Sequence, residues 1–216
     1  MPKHKLELAI VFLTKEPEAG KVKTRLGAEI GEQNAAEVHE ILVLHCVEVA
    51  LSCEAPVVVA LQGNLQGKFA QKLQMMGCIV IEQAKGDLGD KIYSAFSVAQ
   101  RVLVLGTDTP NIIQEELLQA LQGEHITIGP SEDGGFWLIG GSNPPKQIFE
   151  NIPWSTDQVL QKTQIQLEYR MLTCQYLSVL SDIDYFIDLV SFLSLPSPYP
   201  SLQERLKYYA RNKRIP

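Results

Sequence analysis

Through the first 130 residues, short apolar runs of strand length alternate with stretches whose apolar positions recur at helical spacing. Leu8 to Thr14 reads as a first strand, Val57 to Leu61 as a second behind Pro56, and Cys78 to Ile81 as a third. Val102 to Leu105 and His125 to Ile128 supply a fourth and a fifth. Between them, Asn34 to Ala50 sets Val38, Ile41, Leu42, Cys46 and Val49 on one helical face. Further helices are expected over Leu65 to Met76, closed by Gly77, over Lys91 to Ala99, and after Pro110, where Leu117, Leu118 and Leu121 share a face. This alternation predicts parallel βαβ units and an α/β fold with a mostly parallel, doubly wound sheet. The second half is less regular. Phe136 to Ile139 reads as a strand, Ser155 to Glu168 as a helix, Met171 to Leu177 as an edge strand and Tyr185 to Leu193 as a helix, before a basic helix over about 199–214. Such a half is expected to cover a ligand cleft, within a single domain over 1–216 whose core runs from about 6 to 190.

With 216 residues and 45% hydrophobic content, the chain can bury one sizeable core. Its net charge of −6 argues against general nucleic-acid binding, although Arg205, Lys207, Arg211, Lys213 and Arg214 concentrate positive charge near the C-terminus. Cys46, Cys53, Cys78 and Cys174 form no Cys-x-x-Cys pair, so they read as small buried apolar residues of a reducing compartment. The apolar run Leu8 to Leu13 is too short for a membrane span or a signal segment. A cytoplasmic protein with no stable membrane insertion is expected.

Candidate chemistry begins where the first strand ends. Pro17 and Gly20 form a turn, and Lys21, Lys23 and Arg25 follow it ahead of a helix. A tight turn, mobile cations and a helix start together suit a phosphate. The spacing excludes two better known phosphate loops, because Lys15 stands where a P-loop needs its first glycine and no Gly-x-Gly-x-x-Gly follows the strand. The alternative is a solvated charged loop.

Asp108 lies just past the fourth strand, where open α/β sheets take their ligands. Asp182 and Asp184, two apart, point the same way if that segment is extended. Three hard oxygen donors of this kind, plus substrate phosphates, suit Mg²⁺. Capping is the competing role, for Asp184 and Asp182 on the helix near Tyr185 and for Asp108 on the helix after Pro110. Two glycine motifs, Gly86-Asp87-Leu88-Gly89 and Glu132-Asp133-Gly134-Gly135, follow predicted strands. Gly134 and Gly135 permit close approach of backbone to a ligand and Glu132 or Asp133 could meet a hydroxyl or the metal, although each glycine pair alone is also an ordinary turn. No histidine has a catalytic partner pattern.

Taken in order, Lys15-x-Pro17-x-x-Gly20-x-x-Lys23-Thr24-Arg25-Leu26, Gly86-Asp87-Leu88-Gly89, Gly106-Thr107-Asp108-Thr109-Pro110, Glu132 to Gly140 and Pro153-Trp154-Ser155-Thr156-Asp157 resemble one bacterial group. It is the glycosyltransferase-A-like family of the nucleotide-diphospho-sugar transferase superfamily, more distantly similar to 2-phospholactate and molybdenum-cofactor guanylyltransferases. The resemblance implies a GT-A-like fold whose first loop wraps nucleotide phosphates. By motif, Lys15, Gly20, Lys21, Lys23, Thr24 and Arg25 would cradle phosphate, with Lys23 and Arg25 acting in the reaction together with Asp108. Asp87 and Gly89 would lie near base or ribose, and Asp133, Gly134 and Gly135 would border the ligand. Asp108, with Asp182 or Asp184, would hold Mg²⁺ or Mn²⁺. The first loop departs from the guanylyltransferase pattern at Glu16-Pro17-Glu18-Ala19-Gly20, which leaves base and transferred group open. The leading expectation is nucleotidyl transfer from a nucleoside triphosphate to a small phosphorylated or carboxylate acceptor. Glycosyl transfer from a nucleotide-sugar and non-catalytic nucleotide binding are the alternatives, with homodimer formation left open.

Overall fold

The structure is a computed structural model and describes residues 6–211. Strand β1 (Leu6–Lys15) is the hub of a seven-stranded sheet. It pairs in parallel with β2 (Val57–Gln62) on one side and β4 (Ala99–Leu105) on the other. Strand β3 (Ile79–Glu82) extends β2 in parallel. Beyond β4 the direction reverses: β6 (Phe136–Ser142) runs antiparallel between β4 and β5 (Ile126–Pro130), and β7 (Cys174–Tyr176) forms the far edge parallel to β5. The sheet is thus mostly parallel, with β6 reversed, and the fold is α/β as expected.

Alternation along β1 explains the layers. Ile10 and Phe12 face one side with Val57, Val59, Leu61 and Leu103, under helices α2 (Glu32–Leu51), α3 (Lys68–Met75) and α5 (Gln114–Gln122). Ala9 and Val11 face the other with Val58, Val102 and Val104, covered by α4 (Leu88–Ala95), a short 3₁₀ turn (Lys146–Phe149) and α6 (Val159–Tyr169). Apolar runs buried on both faces are what a parallel sheet requires. A satellite core joins α1 (Thr24–Ile30) and α2 to α7 (Phe186–Ser194) and α8 (Pro200–Ala210) through Leu26, Leu42, Ile183, Leu189, Phe192 and Leu206.

Several boundaries differ from the sequence reading for local reasons. The helix expected over Lys91 to Ala99 starts at Leu88, because the Asp87 carboxylate caps it by accepting from the Asp90 N–H at 2.8 Å. It stops before Ala99, which belongs to β4 opposite Leu6. The helix expected from Leu65 begins only at Lys68, after a turn closed by Gly67 N–H on the Asn64 carbonyl. Ser155 to Gln158 lie outside α6, with Ser155 at φ 64°. Met171, at φ 53°, closes that helix and leaves only three residues for β7. Arg25 lies inside α1 and not ahead of it. The basic helix ends at Ala210 within the described residues; Lys213 and Arg214 fall outside them. Cys46, Cys53 and Cys78 are buried and Cys174 half-buried, and all four are free thiols. Among the described residues no helix is long and apolar enough to cross a membrane.

His45 on α2 donates from Nε2 to the Pro110 carbonyl at 2.8 Å and meets the Tyr199 ring edge-on at 4.3 Å. Burial pushes its pKa below the ordinary 6.5, so the folded protein holds it neutral while the unfolded chain takes up a proton below that value. Its contribution to stability is therefore complete above pH 6.5 and is lost as pH falls from there toward the lower folded pKa. As pH falls from about 7.5 through this window, the melting temperature of wild type should fall relative to that of His45→Gln, which keeps a donor but not the titration; a constant difference between the two would remove this role of His45.

Candidate active site

Three segments separated widely in sequence meet at the C-terminal ends of β1 and β4. The loop after β1 brings Lys15, Lys23, Thr24 and Arg25, the chain after β4 brings Asp108, and the residues before α7 bring Asp182, Asp184 and Tyr185, all lining a cleft of about 950 Å³. Their positions are tied by backbone, since the Ile183 N–H donates to the Asp108 carbonyl at 2.9 Å.

At the centre sits the Lys23 ammonium, its side chain 3% exposed. Nζ lies 2.5 Å from Asp108 Oδ1, 3.2 Å from Asp184 Oδ1 and 2.5 Å from the Ile183 carbonyl oxygen. Burial disfavours both charges of the central pair. The Asp108 and Asp184 carboxylates outweigh it for Lys23, whose pKa is raised, and the Lys23 ammonium outweighs it for Asp108, which is held below the usual carboxylate value. Lys23 itself has φ 46° and ψ 43°, a left-handed conformation that a non-glycine residue adopts at a cost of about 1–2 kcal/mol.

The other two aspartates have different partners. Asp182 accepts a short hydrogen bond from Thr109 Oγ1 and one from Ser131 Oγ at 3.2 Å. Burial pushes its carboxyl up to about 6 against the Thr109 bond, with the Asp108 charge adding to the rise. Asp184 also takes Arg25 Nη1 at 3.2 Å, and the Arg25 guanidinium lies 5.2 Å from the Tyr185 ring centroid. Asp188, not Asp184, caps α7, accepting from the N–H groups of both Asp184 and Tyr185. Asp108, Asp182 and Asp184 thus share one cleft, but among the described residues no three His, Cys, Asp or Glu side chains are gathered as a metal cluster.

The opposite wall is a turn, Trp154 to Asp157, held by the two glycine motifs. A Cβ on Gly134, at φ 85°, would lie 2.2 Å from the Asp157 carbonyl oxygen; one on Gly89 would lie 2.7 Å from the Phe149 oxygen and 2.9 Å from the Trp154 ring. The Gly134 carbonyl also accepts from the Leu160 N–H at 2.9 Å. Phe136 meets Trp154 edge-to-face at 6.3 Å. These motifs therefore serve a close backbone approach to another part of the chain.

The remaining expected residues lie around this cleft. Gly135 and Asp133 line it, Asp133 accepting from the Gly135 N–H at 2.9 Å. Lys21 borders an adjoining cavity of about 270 Å³ and pairs with Glu18 at 2.5 Å. Gly20 turns at φ 76° beside Glu32, Asp87 caps α4, and Gly89 lies beneath Trp154. Glu132 accepts from Ser181 Oγ at 2.6 Å, and the Trp137 ring is core, donating to the Ser178 carbonyl at 3.0 Å. Unforeseen in the sequence is a polar layer beneath the cleft. Thr14 and Thr107 hydroxyls lie 3.2 Å apart, and His39 Nε2 donates to the Lys15 carbonyl at 3.1 Å, leaving buried Nδ1 without a partner. The only sequence signal for it is a threonine at or after the end of each central apolar strand.

Gly134→Ala combines a disfavoured backbone conformation with a backbone clash, and should destabilise the protein by about 2–4 kcal/mol. A urea unfolding series would show this as a lower midpoint at unchanged slope, with Gly135→Ala, at ordinary φ, as the milder comparison.

A family model described as "Uncharacterized protein conserved in bacteria (DUF2064)" matches residues 45–156, just over half of the chain. No curated protein matches the sequence. Among solved structures, a candidate nucleotide-diphospho-sugar transferase from Desulfovibrio desulfuricans G20 is similar at 26% identity and a TM-score of 0.83, covering 98% of this chain and 100% of that one. A CMP:2-keto-3-deoxy-manno-octonic acid synthetase complexed with CTP is similar in fold, at 14% identity and a TM-score of 0.54 over 88% of this chain and 100% of that one. So is Rv0371c of Mycobacterium tuberculosis H37Rv in complex with manganese, at 15% identity and a TM-score of 0.51 over 89% and 100%.

Proposed function

The chain belongs to the DUF2064 family, and we propose that it is a metal-dependent nucleotide-using transferase that moves a nucleoside monophosphate from a nucleoside triphosphate to a small acceptor. The carrying observation is the meeting of Lys15, Lys23 and Arg25 with Asp108, Asp182 and Asp184 in one cleft at the ends of two neighbouring parallel strands. The similar structures include a synthetase bound to CTP and a protein bound to manganese, which agrees with this reading.

The donor set fits a hard divalent cation. Two carboxylate oxygens and a carbonyl oxygen converge on the Lys23 ammonium, a tethered cation standing where oxygen ligands meet. Asp108, with Asp184 or Asp182, would hold Mg²⁺ or Mn²⁺. When bound, the ion would neutralise phosphate charge and orient the leaving group. The chain's own residues do the rest by position and charge. An acceptor oxygen, phosphate or carboxylate, attacks the α-phosphorus, the bond to the β-phosphate oxygen breaks, and pyrophosphate leaves with the electron pair. Lys15 and Arg25, the latter's side chain 56% exposed at the cleft, are within reach of the charge that accumulates there. The buttressed wall beyond gives the acceptor a fixed side to rest on.

One observation favours glycosyl transfer as a second reading. The Trp154 and Phe136 rings, with Asp133, Ser155 and Asp157 beside them, make a wall suited to a sugar's apolar face and hydroxyls.

Thermal melts with the four nucleoside triphosphates and with UDP- and GDP-sugars, each with Mn²⁺, Mg²⁺ or EDTA, test the assignment. A metal-dependent rise with one triphosphate is expected, and no rise with any nucleotide would remove the reading. Asp108→Asn, which leaves Lys23 with Asp184 and the Ile183 carbonyl, should give a less stable but folded protein whose pyrophosphate release falls about 100-fold or more, whereas full turnover would end the role given to Asp108. Under the second reading, Trp154→Ala should cancel stabilisation by a nucleotide-sugar and spare that by the matching nucleoside diphosphate.

A further inference from the structure

We propose that Lys23 is a resident cation that the divalent metal must displace, so that loading the site releases this side chain into the phosphate-binding part of the cleft. The proposal rests on the metal reading above and adds to it an exchange between two cations at one point.

The contacts of Nζ carry the argument. An ammonium has three N–H donors, and here three oxygens receive them: Asp108 Oδ1, Asp184 Oδ1 and the Ile183 carbonyl. Nothing of its bonding capacity is left for phosphate. Asp108 and Asp184, not Asp182, are the metal's carboxylates in this proposal, and an ion held by that pair would have to sit against the two groups that Nζ already contacts. Two cations cannot share that point, because their repulsion at such a separation in a partly desolvated site is large. Metal entry and lysine departure are therefore one event.

Space and chemistry for the departing side chain are present. Lys23 borders both the main cleft and the adjoining cavity of about 270 Å³, which Asp108 and Asp184 line together with Lys15, Lys21, Thr24 and His39. Lys15 and Lys21 bring positive charge to this cavity beside the carboxylates, and a polyphosphate drawn to them would offer new oxygens to the freed ammonium. The exchange makes metal and polyphosphate mutually supportive: the metal takes the carboxylates from Lys23, and the polyphosphate gives the displaced ammonium new partners. The bare protein should hold the metal weakly for the same reason.

Mn²⁺ alone, titrated into metal-free protein and followed calorimetrically, is the probe. Lys23→Met keeps most of the stem and removes the charge, and should bind Mn²⁺ about tenfold tighter than wild type. Lys23→Arg, still cationic, should not gain, and adding Asp108→Asn to Lys23→Met should abolish the gain. Equal or weaker binding by Lys23→Met overturns the exchange. If wild type and Lys23→Met bind alike, the metal reading survives without it; if neither binds, both fall. A second readout on the wild type needs no variant: reductive methylation with mass spectrometry should find Lys23 protected without metal and reactive once Mn²⁺ is added at saturation. Continued protection of Lys23 in Mn²⁺-saturated protein also overturns the proposal, even where Lys23→Met does not fold.

Discussion

The Lys23 ammonium is the charged centre on which three parts of the chain converge, beside the backbone bond from Ile183 to Asp108 and the apolar contacts of Leu26 with Ile183 and Leu189. It joins the loop after β1 to Asp108 behind β4 and to Asp184 and Ile183 ahead of α7. A nearly buried cation is tolerated because two carboxylates and a carbonyl surround it, and the cation in turn offsets the repulsion of two carboxylates that the Ile183–Asp108 backbone bond already brings near each other. Removing either partner alone would strand a desolvated charge, at a cost of about 3–5 kcal/mol for a fully buried pair and less where Asp108 and Asp184 keep solvent contact. The left-handed backbone of Lys23 is the local strain that this arrangement tolerates.

From that node the two halves of the molecule have separate physical tasks. The parallel half, β1 to β4, carries cations and Asp108 on strand ends fixed by a core buried on both faces. The reversed strand β6 changes the direction of the chain so that the Ser131–Gly135 turn opens onto the same cleft. Gly134 and Gly89 then let the Trp154–Asp157 turn sit closer than any side chain would allow. Polar links between the halves include Thr109 to Asp182, the Ile183 N–H to the Asp108 carbonyl, Lys23 and Arg25 to Asp184, and Tyr199 to the Ile112 carbonyl.

Much of this was legible in the residues, and the exceptions have physical causes. The strands of the first half are continuous apolar runs between turn residues, so their number and parallel sense followed from pattern. The coming together of Lys23, Arg25 and Asp108 followed from their placement after strands that proved to be neighbours. The reversal at β6 was not legible, because a strand buried on both faces reads the same in either direction. Helix starts at Leu88 and Val159 were shifted by an Asp87 cap and by the strained turn at Ser155, which compete locally with helical periodicity. The pairing of Lys23 with Asp184 and the polar layer of Thr14, His39 and Thr107 depend on contacts across long stretches of chain, and no local signal encodes those.

The span of those contacts also has a kinetic side. Lys23 bonds Ile183 across 160 residues and Asp184 across 161. Closing so large a loop carries an entropic cost that the local βαβ contacts of the first half do not bear. The sheet around β1 can therefore form before the last third of the chain returns. In a protein emerging from synthesis, the carboxylate of Asp108 would face solvent until Ile183 and Asp184 arrive, making the cleft the last region to be completed and the first to open when the C-terminal helices detach.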